Sequence, residues 1–427
     1  MGRARHIGTL LVVALLGVVA CTGSSGPMSA TAQGTAAGPL LPEGAGSLPG
    51  SLLVLDDTGT LTTMRPDGTA RTTLAVGAAG SLQVIQAAWA PDGSRVAWSQ
   101  IDLRDGTLVA RLITSGPAGE RRVETLVDPP PFYLAWDPTS RHVAYLGNAE
   151  SAIALGVVEA AATTAAAARP LDEGSPYYFS WGPDGDRMLV HVGTERLDEL
   201  TITGEVSTVD RRPGRFQAPV WSADGSAFVY ARRDPGSRQR IVVLEDGGRQ
   251  AREVATAQGY VSLVLSPDGS RLAYQALGTD ELNIFDPELP ERATDVGVRV
   301  VDVESGRVQR VSRGLAHAWF WSPDGSRLAI LEPISTGGDV LFRWRIWDGT
   351  SSFATAPMIP AAALLQSYTP FFSQHAQSST IWAPDGSAFA FPAQDPTGSM
   401  AILVQPALEG AAAYPVAAGS FVVWSPV

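Results

Sequence analysis

The sequence predicts an all-β protein built as a single β-propeller. Three observations predict it. One unit recurs along the chain, with its first residue at positions 89, 136, 181, 221, 265, 321 and 382 and a truncated copy at 424. The spacings fall mostly near the 40–50 residues of a four-stranded blade. Each unit places a turn tripeptide, usually Pro-Asp-Gly, between two short apolar runs, which is hairpin punctuation. Gly (44) and Pro (31) are abundant, and 45% of the 427 residues are hydrophobic, enough for a large core and too many for a disordered chain.

The chain opens on a short positive stretch, Arg3, Arg5 and His6, followed by an apolar run from Ile7 to Ala20. That run is shorter than the roughly 20 residues a membrane-spanning helix needs and suits the apolar region of a secretory signal. It ends in Val18-Val19-Ala20-Cys21, which resembles a bacterial lipobox. The resemblance implies cleavage before Cys21 and a diacylglycerol on its thiol. Residues 1–20 are therefore expected to be a lipoprotein signal peptide. Cys21 is the only cysteine, so no intrachain disulfide and no multi-cysteine zinc site is expected.

Residues 21–50 hold Gly, Ser, Thr, Ala and Pro with a single charge, Glu43, and no hydrophobic period. They read as a flexible tether of about 30 Å reach at 5–6 Å × √n. The propeller is expected to occupy residues 51–427. Lys is absent and the formal net charge is −12. The Arg, Ala and Gly bias reads as a G+C-rich bacterial genome. The acidity argues against nucleic acid as a partner and against anionic lipid headgroups. Membrane attachment should pass only through the lipid on Cys21, placing a monomer outside the cytoplasmic membrane, at the cell surface or in the periplasm.

The units read Trp89-Ala-Pro-Asp-Gly-Ser-Arg-Val-Ala-Trp98, Trp136-Asp-Pro-Thr-Ser-Arg-His-Val-Ala-Tyr145 and Trp181-Gly-Pro-Asp-Gly-Asp-Arg-Met-Leu-Val190. Trp221, Leu265, Trp321 and Trp382 begin the next four, and Trp424-Ser-Pro-Val427 begins one more. In each, an apolar strand ends at the first residue, Pro fixes φ, Asp-Gly turns the chain, and an alternating strand follows. The recurrent Trp is expected to pack between blades and the recurrent Asp to serve the turn. The units resemble the TolB-like propeller repeat, whose signature is Trp-Ser-Pro-Asp-Gly followed by a hydrophobic strand. The resemblance spans nearly everything after residue 51 and implies a propeller, not a function. Two departures are expected: a tether in place of the α/β domain that precedes the TolB propeller, and no hydrolase domain after the repeats.

Ring closure follows from the two ends. Residues 52–76 supply about three strands and lack an innermost one, whereas Ser420–Trp424 is an innermost strand without a blade. Together they complete one blade, giving eight four-stranded blades, or seven if the ends form no complete sheet.

The usual catalytic signals are missing: no Gly-x-Ser-x-Gly, no His-Glu-x-x-His, no phosphate-cradling Gly-rich loop. Recognition is therefore preferred to catalysis, and neither a cofactor nor a resident metal is expected. His142 reads as a turn-side surface residue and His191 as packing. His317 and His375 lie near one rim, where Glu332 or Asp339 would have to complete any metal site. The two longest spacings, 56 and 61, are adjacent. Their extra residues are expected in three loops on one sector of one face: an acidic one from Gly278 to Gly297, one from Glu332 to Asp339, and an aromatic one from Ala356 to Ser379. Long loops on a rigid scaffold are where binding resides. Tyr368, Phe371, Phe372, His375 and His317 are the expected binding residues for a protein, peptide or glycan of the envelope. The rival classes are a polysaccharide lyase or glycosidase at the channel mouth, and an accessory or sensor subunit of an envelope complex.

Overall fold

A computed structural model describes residues 47–427 except 79–81, 105–106, 163–167, 223, 236–237, 246–249, 279–295, 337–338 and 370–371. The expected signal peptide, Cys21 and most of the expected tether lie outside the described residues. Among the described residues, eight antiparallel sheets follow one another as the blades of a propeller. The first blade joins the chain ends: Leu52–Leu55, Leu61–Met64 and Thr72–Ala75 form three strands, and Phe421–Trp424 is the innermost. Leu52 pairs with Trp424 and Leu55 with Phe421, so closure occurs as the ends predicted.

The second to seventh blades each hold four consecutive strands, with innermost strands Leu82–Trp89, Pro131–Trp136, Tyr177–Trp181, Val220–Trp221, Val261–Leu265 and Ala318–Trp321. The eighth has Ala388–Gln394, Met400–Pro406 and Tyr414–Ala418 as its outer strands. Its inner position is reduced to a bridge between Trp382 and Phe389.

The repeated residues do what the pattern requires. The turn glycines Gly93, Gly185, Gly225, Gly269, Gly325 and Gly386 have φ between 66 and 72°, a region open to Gly and costly for most side chains. In the third blade, where the unit reads Asp-Pro-Thr-Ser, Ser140 takes φ 60° instead. The turn aspartates accept the backbone N–H two residues on, as in Ser94 to Asp92 (2.9 Å) and Ser326 to Asp324 (3.0 Å). Hydrogen bonds from Ser222, then from Ser226, hold the Asp224 carboxyl down at about 2.

The tryptophans stitch neighbouring blades. The indole N–H of Trp136 donates to the Ala88 carbonyl (3.2 Å), that of Trp181 to Ala135 (3.2 Å) and that of Trp382 to Phe320 (3.1 Å). In each case the acceptor is the residue before the equivalent aromatic of the preceding blade. Trp89 donates to Val423 (3.4 Å), so the stitch also crosses the closure point. At the turn end, Arg141 reaches the Asp184 carbonyl (3.0 Å) and Arg327 reaches that of Gly386 (2.7 Å). The core consists of these inter-blade layers.

Two expected loops take other forms. Residues 332–339 are not a loop: the second and third strands of the seventh blade run Leu328–Thr336 and Asp339–Trp347, paired out to Thr336 with Asp339. The segment expected as an aromatic rim loop instead contains a π-helical turn, Leu364–Tyr368, and a short helix, Phe372–His375, which enters the mouth of the axial channel.

Candidate functional site

Inner strands leave backbone groups facing the propeller axis, and buried groups of this kind need partners. Side-chain amides supply them. Gln86 accepts the Leu134 N–H (2.8 Å). Gln275 accepts the Ala316 N–H (2.9 Å) and donates to its carbonyl (3.1 Å).

The helix Phe372–His375 does the same from within the channel mouth. The Gln374 amide accepts the Phe179 N–H (2.8 Å) and donates to the Phe179 carbonyl (2.8 Å), as a neighbouring strand would. Tyr133 donates its hydroxyl to the Gln374 carbonyl (2.8 Å). Ser373 donates to Gln217 (2.7 Å), which also accepts from Ser262 (2.9 Å). Phe372 lies against Trp319, ring centroids 4.1 Å apart. This one turn of helix thereby ties together the inner faces of the third to seventh blades. Ser373 and Gln374 are buried with it.

The expected binding residues are thus dispersed. Phe372 is 3% exposed and belongs to the core, which corrects its reading as a surface contact: the channel accepts its ring. His375 sets its ring edge-on to Tyr133 at 5.1 Å. His317 packs edge-on to Phe342 at 5.0 Å. The two imidazoles serve different aromatic partners. Glu332 is turned toward Arg343 and Arg345. Phe371 and the side chains of Tyr368 and Asp339 lie outside the described residues, as do residues 279–295 of the acidic connection from Gly278 to Gly297. Among the described residues no group of three His, Cys, Asp or Glu side chains is placed to hold a metal ion. His142 is half-buried, its Nδ1 2.7 Å from the buried carboxylate of Asp137, so it braces a turn rather than facing solvent.

His191 is fully packed, stacked on Phe216 at 3.7 Å with its Nδ1–H directed at the Gln217 carbonyl (3.1 Å). Burial pushes both His191 and His317 down to about 4. Below the ordinary value near 6.5, the unfolded chain takes up protons that the folded chain refuses. The stabilisation is therefore full above pH 6.5 and lost as the pH falls toward 4. His191 alone should cost the fold about 2 kcal/mol between pH 7 and pH 5. The check is the melting temperature at the two pH values for wild type and His191→Phe. The drop on acidification should be smaller in the variant; an equal drop would show that His191 is not the source.

A cavity of about 20 Å³ beside the helix, lined by residues including Gln217, Ser262, His317 and Phe372, has room for about one water. A wider cleft of about 530 Å³ opens on the rim between the sixth and seventh blades, lined by Arg310, Ser312, Arg313, Glu332, Arg343 and Arg345 among others. Sequence reasoning did not single out these arginines, because they come from two blades and alternate with apolar strand residues.

No family model matches the chain. An uncharacterized protein of Agrobacterium fabrum is 26% identical over 162 residues, 36% of this chain and 53% of that protein. The chain thus spans about half the length of that curated relative. Among solved structures, a eukaryotic initiation factor is similar over 88% of this chain and 99% of its own, with 9% identity and a TM-score of 0.54. TolB from Acinetobacter baumannii covers 78% of this chain and 83% of its own, with 13% identity and a TM-score of 0.40. At 9% identity the likeness to the initiation factor is one of fold.

Proposed function

We propose that this eight-bladed propeller is a lipid-anchored, extracytoplasmic binding protein that holds a protein, peptide or glycan of the cell envelope on the rim at its plugged end. The observation that carries the reading is the filled channel mouth. A propeller enzyme of the lyase or glycosidase kind would need its polar groups open at the axis. Here Gln374, Ser373 and Gln217 spend theirs on one another and on the inner strands, and the two histidines pack on aromatic rings. The rim keeps its concave surface. Tyr368 and Phe371 are proposed as contacts from the same segment that Phe372 fastens. The test is capture from an envelope extract by wild type and by the Tyr368→Ala/Phe371→Ala double variant. A folded variant that loses capture supports the reading; unchanged capture overturns it for this sector.

The anchoring rests on Val18-Val19-Ala20-Cys21 after a short apolar run. Among the described residues no helix is long and apolar enough to cross a membrane. A single acyl chain binds membranes only marginally, at about 10⁴ M⁻¹, so two are needed for firm retention. Cys21→Ser should leave the precursor unprocessed by the lipoprotein route and absent from lipid labelling. Wild-type labelling with fatty acid in the variant would contradict the assignment.

A further inference from the structure

We infer that the cleft at the turn end of the joint between the fourth and fifth blades binds a neutral oligosaccharide. Seven tryptophans begin a repeat unit, at positions 89, 136, 181, 221, 321, 382 and 424. Six of them are buried and donate the indole N–H to a backbone carbonyl, in five cases one of the preceding blade. Trp221 departs on both counts. It is only half-buried, and its Nε1–H finds no acceptor among the described residues. The inner strand it ends, Val220–Trp221, has two residues, whereas Tyr177–Trp181 and Val261–Leu265 on either side have five each. The unit arginine behaves differently here too. Arg141 and Arg327 reach a carbonyl in the turn of the next blade, but Arg187 lies over the Trp221 ring at 5.0 Å. The joint is left unstitched at this end, and a cleft of about 800 Å³ opens there.

The cleft offers the two kinds of surface that a sugar ring matches. Its apolar part is Trp221, Phe228 and Leu244. Phe228 stands edge-on to Trp221, ring centroids 5.3 Å apart. Arg187, which lies over the indole, is itself held by Asp184 (2.9 Å) and Glu199 (3.3 Å). These contacts fix the indole before any ligand arrives, which lowers the cost of binding. The polar part includes Ser207, Glu245 and Gln250. Ser207 and Gln250 are exposed, and neither side chain has a hydrogen-bond partner among the described residues. Glu245 commits only Oε1, to Arg252 (3.0 Å), and keeps Oε2 as an acceptor. A hydroxyl and an amide both donate and accept, whereas a carboxylate only accepts. Such a mixed set suits a ligand whose hydroxyls do both and whose C–H faces lie flat on aromatic rings. The volume is in the upper part of the usual small-molecule range, so a short chain of sugar units is expected rather than one.

The site lies at the opposite end of the ring from the plugged mouth and stands independently of the binding face proposed above. The purified chain is titrated calorimetrically with maltotriose, cellotriose and chitotriose. Saturable one-site binding of at least one is expected. Trp221→Ala should weaken it about thirtyfold, the loss typical of an aromatic anchor. Ser207→Ala/Gln250→Ala alters only exposed side chains and should weaken it about tenfold, as two lost hydrogen bonds would. This double variant carries the test where Trp221→Ala fails to fold. Arg313→Gln and Tyr368→Ala/Phe371→Ala, on the plugged face, should bind the sugar as wild type does. Absence of saturable binding by all three trisaccharides, or unchanged affinity in a folded Ser207→Ala/Gln250→Ala variant, would overturn the inference. Weakening by Arg313→Gln as large as that by the double variant would overturn it too, because the sugar would then sit at the plugged end.

Discussion

Deleting residues 420–427 should abolish the cooperative thermal transition or lower it by about 10 °C or more, since burying each of several large apolar side chains is worth about 2 kcal/mol and each kcal/mol shifts a large domain by a few degrees at most. Phe421, Val422, Val423 and Trp424 are all buried. Their removal strips Leu52–Leu55 of an entire pairing partner. It also takes the acceptor of the Trp89 indole at Val423 and the donor to Pro49, Trp424 Nε1 (2.8 Å). An inner strand edge of the first blade would then be open, which invites pairing between chains. Aggregation on heating is the second expected sign. The deletion is measured beside Trp424→Ala, expected to cost about 3–5 kcal/mol as a large-to-small core change. A deletion protein that melts like wild type would mean that the ring closes elsewhere.

The second large effect belongs to the channel helix. Gln374→Ala leaves both the N–H and the C=O of Phe179 unpaired inside the ring, and each buried orphan costs about 1–3 kcal/mol. Phe372→Ala removes a buried ring from Trp319 and should cost about 3–5 kcal/mol. Gln377 sits one turn on and is exposed, so Gln377→Ala should cost less than about 0.5 kcal/mol. Denaturant unfolding of the three variants reads the series. Equal, negligible losses at Gln374 and Phe372 would mean that the helix lies on the surface, as an aromatic rim loop would.

The ring was legible because its grammar is local. A Trp that ends an inner strand, a Pro-Asp-Gly turn and an alternating strand are all decided within ten residues, and they recur. Closure was legible because three strands at one end and one strand at the other can only be completed together. The stitching role of the tryptophans followed from the same repetition.

What the pattern could not convey is non-local. The sequence of residues 356–379 says that the segment is apolar and aromatic. Whether Phe372 faces solvent or Trp319 depends on the width of the channel, which eight blades set jointly. Gln374, Gln217, Gln275 and Gln86 look like ordinary polar residues until the inner strand edges they serve are in place. Residues 332–339 read as a loop because the long unit spacing left extra residues at the connection of the second and third strands. In the structure Pro333 sits within a strand facing Phe342, and the pairing continues out to Thr336 with Asp339. The arginine cleft was hidden for a similar reason. Arg343 and Arg345 alternate with Phe342, Trp344 and Ile346 along one strand, and only blade packing brings Arg310 and Arg313 to them.

The proposed binding face is tested most directly by photo-crosslinking in an envelope extract. A benzophenone amino acid is placed in turn at Arg313, on the rim at the plugged end, and at Ser94, in a turn at the opposite end. Both residues are exposed or nearly so, so neither substitution should disturb the fold. A discrete crosslinked partner is expected from position 313 and none from position 94. Crosslinks from position 94 with none from position 313 would contradict the assignment of the plugged end as the working face.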